Sequence, residues 1–181
     1  MEIGIFFILI LICALYLWHS VDFMLSKGPN RVVNTNSNLK TCLPIIRDII
    51  KRYNISPNTT TYLEPGAGYG LIGQALSQEF YWKNPTALEI SSSTYTVGFI
   101  INKISHSRIH YIHENIFEYS FPKNAFIYCY ISTAMINRLY QEGKFDTSLV
   151  ISLTFEISNI KPTERIAIPG WQKQILVYDF R

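Results

Sequence analysis

Thr60-Thr-Tyr-Leu-Glu-Pro-Gly-Ala-Gly-Tyr-Gly70, followed by Leu71-Ile-Gly-Gln-Ala-Leu76, decides the fold. Thr60 to Leu63 reads as a short strand, and Leu71, Ile72, Ala75 and Leu76 recur at helical spacing. Between them stands a carboxylate, Glu64, and then Gly66, Gly68 and Gly70 in a Gly-x-Gly-x-Gly pattern. Glycines at that place let the chain turn sharply and approach a ligand closely, with main-chain N–H groups and a helix N-terminus directed at it. Three glycines beside an acid exceed what a tight turn requires.

The alternation continues outward from this loop. Thr86 to Ile90 reads as a strand ending on Glu89, and Ser91-Ser-Ser-Thr94 offers hydroxyl caps for a helix carrying Tyr95, Val97, Ile100, Ile101 and Ile104. Arg108 to His113, Ala125 to Ile131 and Leu149 to Phe155 read as further strands, with a helix from Thr133 to Gln141, a piece near Ile166 and a last strand from Gln174 to Tyr178. Upstream, Leu39, Cys42, Leu43, Ile46, Ile49, Ile50 and Tyr53 give a helix, with Asn38 or Thr41 as N-cap and Pro44 in the first turn. Strands alternating with helices predict an α/β fold, a doubly wound, mostly parallel sheet with helices on both faces. Glu89 lies about twenty residues beyond the loop, where an acid can accept both hydroxyl protons of a ribose.

The amino terminus has a different character. Ile3 to Trp18 carries no charge and, as a helix, is about 24 Å long, somewhat under the ~30 Å of a bilayer core. Val21 to Leu25 can prolong it, and Lys27, Arg31 and Lys40 follow. No basic residue precedes the apolar run and no small-x-small site follows it, which argues against a cleaved signal peptide. The division expected is a single transmembrane helix in residues 1–25, a polar linker in 26–38 and a folded domain in 39–181. Positive charge after the span places that domain on the cytoplasmic or matrix side of a single-pass membrane protein.

Composition narrows the functions. With 48% hydrophobic residues and 181 residues in all, the chain can bury one core and has no room for two ordinary domains. A net charge of +3 is far from the dense cationic face of a nucleic-acid binder, so no nucleic acid is expected as partner. Cys13, Cys42 and Cys129 are odd in number and widely separated, and the four histidines have no ligand spacing, so neither a disulfide framework nor a metal site is expected.

With these residues in view, the chain resembles the class I S-adenosylmethionine-dependent methyltransferases, whose fold is Rossmann-like. The family's first-strand motif, acid-x-Gly-x-Gly-x-Gly, falls on Glu64, Gly66, Gly68 and Gly70, with Ala67 inside it, and its second-strand acid on Glu89, followed by Ile90. The resemblance implies S-adenosylmethionine as cofactor. It also places Asn115 and Ile116, in His113-Glu-Asn-Ile-Phe117, against adenine, with Asn where an acid is commoner and Glu114 one position off. The apolar amino terminus, the small uncapped domain, Phe126-Ile-Tyr-Cys-Tyr-Ile-Ser-Thr133 and the ending Leu176-Val-Tyr-Asp179 are further similar to membrane-anchored lysine methyltransferases that modify ATP synthase c subunits or the adenine nucleotide translocase. That likeness implies a membrane-protein acceptor, and the chain is expected to be a monomer.

Several readings compete. Gly68-Tyr-Gly-Leu-Ile-Gly73 literally matches the Gly-x-Gly-x-x-Gly of dinucleotide binders, but the match starts late after the strand and the chain leaves no room for a dehydrogenase's second domain. A methyltransferase acting on a lipid or small molecule, and a nonenzymatic membrane adaptor, compete as well. Methyl transfer to a lysine needs the neutral amine, about 5 kcal/mol uphill at pH 7 for a pKa near 10.4, which an apolar pocket and a nearby oxygen can offset. Tyr130 and Ser132, alternate residues at the carboxyl end of the fourth strand, are the catalytic candidates. Core packing for Tyr130 and helix capping for Ser132 are their ordinary structural roles.

Overall fold

The computed structural model describes residues 6–7, 9–10, 12–14, 17–18, 20–21, 36–169 and 173–181. Helix α1 spans Asn36–Arg52, β1 Thr61–Pro65, α2 Leu71–Glu79, β2 Lys83–Glu89, α3 Ser92–Ile104, β3 His110–His113, β4 Ala125–Cys129, α4 Thr133–Gln141, β5 Leu149–Leu153, β6 Glu164–Ala167 and β7 Gln174–Asp179. The seven strands form one sheet in the order β3-β2-β1-β4-β5-β7-β6. Strands β1 to β5 are parallel, and β7 runs antiparallel to both β5 and β6.

The two faces of the sheet are covered unequally. Period-two alternation sends Tyr62, Phe126, Tyr128, Leu149 and Ile151 to one face, where Cys42, Ile46 and Ile49 of α1 and Ile72 and Leu76 of α2 complete the core. Leu63, Ile127, Cys129 and Val150 point the other way and meet Ile136 and Leu139 of α4, joined there by the loop residues Ile116, Phe145 and Ile157. Helices thus lie on both faces, with loops doing much of the covering on the α4 side. The near-continuous apolar runs of β4 and β5, buried along their whole length, are what a parallel sheet buried on both sides requires.

Three expectations shift. Helix α1 starts at Asn36, inside the stretch expected as linker, so Pro44 falls in the helix interior and not in its first turn. Its ring removes one helical hydrogen bond there. The fourth and fifth strands stop at Cys129 and Leu153, leaving Tyr130, Ile131 and Ser132 beyond the ladder. The expected transmembrane helix of residues 1–25 falls largely outside the described residues. Those that are described there are helical, and Phe6, Phe7, Leu9, Ile10, Ile12 and Leu17 are exposed. Among the described residues, no helix is long and apolar enough to cross a membrane.

Candidate active site

Strand order reverses between β1 and β4: β2 and β3 lie to one side of β1, and β4 and β5 to the other. In an open parallel sheet the crevice at the carboxyl ends of such a pair is where ligands bind. The glycine loop occupies that position. Gly66, Gly68 and Gly70 all have positive φ, +67°, +62° and +69°, the left-handed region in which a side chain is strained. At Gly66 a Cβ would also stand 2.5 Å from Ile131 Cγ2, so the loop can pass the end of β4 only without a side chain. Ala67 N–H donates to the Leu88 carbonyl (2.8 Å) and Gly70 N–H to the Ala67 carbonyl (2.9 Å), which folds the loop against β2.

Glu64 sits beneath this loop and is fully buried. Gly70, the N-cap residue of α2, brings no side chain to the helix start. Glu64 supplies one from the strand: its Oε2 accepts from the Gly73 N–H in the first turn of α2 (2.9 Å) and from the Tyr62 hydroxyl (3.0 Å). Its Oε1 is buried with no hydrogen-bond partner. Burial pushes the carboxyl up to about 8, against the lowering effect of the Tyr62 and Gly73 bonds. Gly73 lets α2 lie close against Glu64 of β1, since a Cβ there would lie 2.4 Å from Ile109 Cδ1 and 2.5 Å from Glu64 Oε2.

Glu89 ties the loop to β2. One carboxylate oxygen accepts from Gly68 N–H (2.9 Å) and the other from Ser91 N–H (2.8 Å). Ser91 in turn caps α3, its hydroxyl accepting from Thr94 N–H. Ile90, next along the chain, is 45% exposed and presents an apolar surface at the same edge. On the far side Tyr111 of β3 donates its hydroxyl to the Gly68 carbonyl, and its ring stacks on Tyr95 of α3 at 5.3 Å. Gly98 leaves the room for that ring; a Cβ there would meet the Tyr111 hydroxyl at 2.6 Å.

The structure gives Asn115 and Ile116 local duties. Asn115 Oδ1 accepts from Phe117 N–H (3.1 Å) and its amide donates to Glu118 Oε1 (2.7 Å), which shapes the turn leaving β3. Ile116 is buried in the core on the α4 side. Glu114 N–H donates to the Glu89 carbonyl, extending the β2–β3 ladder past the strand end.

At the end of β4, Tyr130 is buried, and its hydroxyl accepts from Lys173 Nζ (2.8 Å) while its ring lies 6.0 Å from that of Phe155. Ser132 is the N-cap of α4, accepting from Met135 N–H at 3.4 Å. Cys42 and Cys129 are buried free thiols and Cys13 is exposed. Burial pushes Cys42 up to about 11 and raises Cys129 as well, which keeps both as thiols.

The structure therefore gathers Glu64, Gly66, Ala67, Gly68, Gly70, Glu89 and Ile90 at one edge, with Tyr130 and Ser132 on the neighbouring strand end. Sequence reasoning missed Tyr62, Tyr111 and Lys173 as partners. Nothing in the local sequence pairs Tyr111 with Gly68 or Lys173 with Tyr130, each forty-three positions apart, whereas Tyr62 lies two positions from Glu64 on the same strand and reads there only as an apolar core residue.

The strand order and the placement of the loop define the Rossmann-like methyltransferase fold. Solved structures of that fold align with the chain. An RNA methyltransferase from Salinibacter ruber in complex with S-adenosyl-L-homocysteine matches with a TM-score of 0.66 at 13% identity, over 82% of this chain and 94% of that one. A SAM-dependent methyltransferase from Aquifex aeolicus gives 0.58 at 12% identity over 79% and 92%. The m1A22 tRNA methyltransferase TrmK of B. subtilis gives 0.55 at 14% over 70% and 62%. No family model matches the sequence, and no curated protein does.

Proposed function

We propose that this chain is an S-adenosylmethionine-dependent methyltransferase. The observation that carries the reading is the bond from Gly68 N–H to Glu89 at the strand-order reversal, which ties a loop of three positive-φ glycines to the carboxylate that ends β2. Those residues fit the nucleoside of the cofactor: Glu89 for the ribose hydroxyls, Ile90 for the base, and the loop main chain from Gly66 to Gly70 for close approach. Its sulfonium, when bound, supplies the methyl group. What the chain contributes is position, exclusion of water and a surface for the acceptor, and Tyr130 with its Lys173 partner stands at the acceptor side of the edge.

For the acceptor, the reading is a lysine of a membrane protein, reached by an enzyme tethered through the uncharged run in residues 3–18. Tethering confines enzyme and acceptor to one thin layer and raises their effective concentration. Two experiments test this. Calorimetric titration of the full chain should give binding of S-adenosylhomocysteine and none of NAD, with Glu89→Ala weakening binding by about 1.5–3 kcal/mol. Incubation of membranes with radiolabelled S-adenosylmethionine should place the label on protein. Label in lipid, or in added RNA, would replace the lysine reading with that acceptor.

A further inference from the structure

One surface of the domain is unlike the rest. Helix α3 buries Ser93 and Thr94 in its first turn and Gly98 and Asn102 further along, so beyond the first turn the side away from Gly98 and Asn102 faces outward. A surface helix normally carries polar and charged residues there. On α3 that side carries Val97 (44% exposed), Ile100 (50%) and Ile104 (73%), with Phe99 and Lys103 beside them. At 3.6 residues per turn the three aliphatic residues fall within about one sixth of the helix circumference. Contiguous apolar surface of this kind on a small domain marks a contact.

Charge shows what kind of contact. From Ile90 to His113 the chain has no Asp or Glu, and it has Lys103 and Arg108. Arg108, four residues past the end of α3, donates from its guanidinium to the Ser77 carbonyl and lies over the Tyr81 ring at 3.8 Å, and Tyr81 is 75% exposed, so a cation and an aromatic face stand together beyond the C-terminus of the helix. Between α3 and the open edge strand β3 runs a groove of about 290 Å³, lined by Phe99, Ile109 and Ile112 on its apolar side and by Lys103 and His110 on its polar side. Aliphatic residues flanked by cations and aromatics, without acids, are the pattern of a helix that rests at a lipid interface, its apolar side chains sunk to the acyl boundary and its cations among anionic headgroups. The geometry points to this face of α3, with the β3 edge, as a docking surface for an anionic bilayer. This inference rests on the membrane-acceptor reading and extends it. Because α3 begins directly after Glu89, Ile90 and Ser91, docking brings the carboxyl edge of the sheet to the headgroup layer, where an acceptor in the membrane can reach it.

The test uses the full chain with Cys13→Ser, since Cys42 and Cys129 are buried. A single cysteine is introduced as Ile100→Cys, or as Gln141→Cys on α4 for comparison, and carries an environment-sensitive fluorophore. Each protein is mixed with vesicles of phosphatidylcholine and phosphatidylserine that contain a headgroup nitroxide quencher. The expected result is blue-shifted, quenched emission from position 100, unquenched emission from position 141, and about a twofold or greater loss of quenching at position 100 on Lys103→Glu. Vesicle flotation, measured in parallel, separates the two readings. A chain that floats with an unquenched label at position 100 overturns the docking surface and leaves the membrane reading intact. A chain that does not float overturns both. A label at position 100 that shifts blue without lipid, with dimerisation in sedimentation, overturns bilayer docking in favour of a second copy.

Discussion

Glu64→Gln isolates the cost of holding an acid inside this fold. In the native state the carboxyl is fully buried, with Oε2 held by Tyr62 and Gly73 and Oε1 facing no partner, and its ionisation is pushed up to about 8 from an ordinary 4.5. Below about pH 4.5 both the folded and unfolded chains hold the proton, and the folded state carries no penalty. Between about 4.5 and 8 the unfolded chain has released its proton and the folded one has not, so stability falls as pH rises. Above about 8 both are ionised and the loss is complete. At about 1.4 kcal/mol for each pH step the full loss is about 4–5 kcal/mol, and about 3 kcal/mol of it is present at pH 7. Glutamine keeps an oxygen acceptor for Gly73 N–H and cannot ionise. The assay is urea unfolding of wild type and Glu64→Gln across pH 5 to 9. Wild type should lose stability steadily up to about pH 8, and the difference between the two proteins should change by several kcal/mol in favour of glutamine over that range. Parallel pH profiles for the two would refute the reasoning and show that Glu64 is ionised and solvated in the native state.

The other predictions concern the groups that hold the loop. Gly73→Ala places a Cβ within 2.5 Å of Ile109 and Glu64, so it should destabilise the fold by about 1–3 kcal/mol in chemical denaturation and weaken S-adenosylhomocysteine binding with it. Tyr111→Phe keeps the stack on Tyr95 and deletes the bond to the Gly68 carbonyl; about 1 kcal/mol of stability should be lost, with a matching loss of affinity in calorimetry because that bond holds the loop. Ser132→Ala should cost about 1 kcal/mol through the lost cap of α4 and leave the affinity unchanged, and a selective fall in turnover would give Ser132 a part in catalysis instead.

The fold was legible in the sequence where structure is local. Periodicity and hydroxyl caps located α3 and α4, and Thr133 to Gln141 is matched residue for residue, because Ser132 fixes the start of α4 by a bond to Met135 three residues on. The start of α1 was hidden because Asn36 to Asn38 carry no apolar period, and the ends of β4 and β5 because apolar residues continue past the last ladder bond. Within the site, the glycines and both acids could be named from spacing alone. Their partners could not, since the Tyr111 bond to Gly68 spans forty-three positions and exists only once β3 has been laid beside β2.

The two acids, which look alike in the sequence, end up holding different parts of the site, and that difference assigns their work. Glu64 is sealed under the loop, where ionisation is disfavoured by burial, so it serves the fold by capping α2 from β1. Glu89 ends β2 at the carboxyl edge, where its two oxygens accept from the main-chain N–H groups of Gly68 and Ser91, so it grips the loop from the strand next to β1. Gly68 is held from two sides, its N–H by Glu89 and its carbonyl by Tyr111, and these grips come from β2 and β3 respectively. The three glycines make the loop conformation possible, and the assembled sheet edge fixes it. A ligand that donates hydrogen bonds to Glu89 acts on the same carboxylate that fixes Gly68, so binding and loop order are coupled through one group. Rigidity of the Gly66 to Gly70 main chain should rise on S-adenosylhomocysteine binding, visible as slowed amide exchange at Gly68, and Glu89→Gln should reduce that slowing together with the affinity.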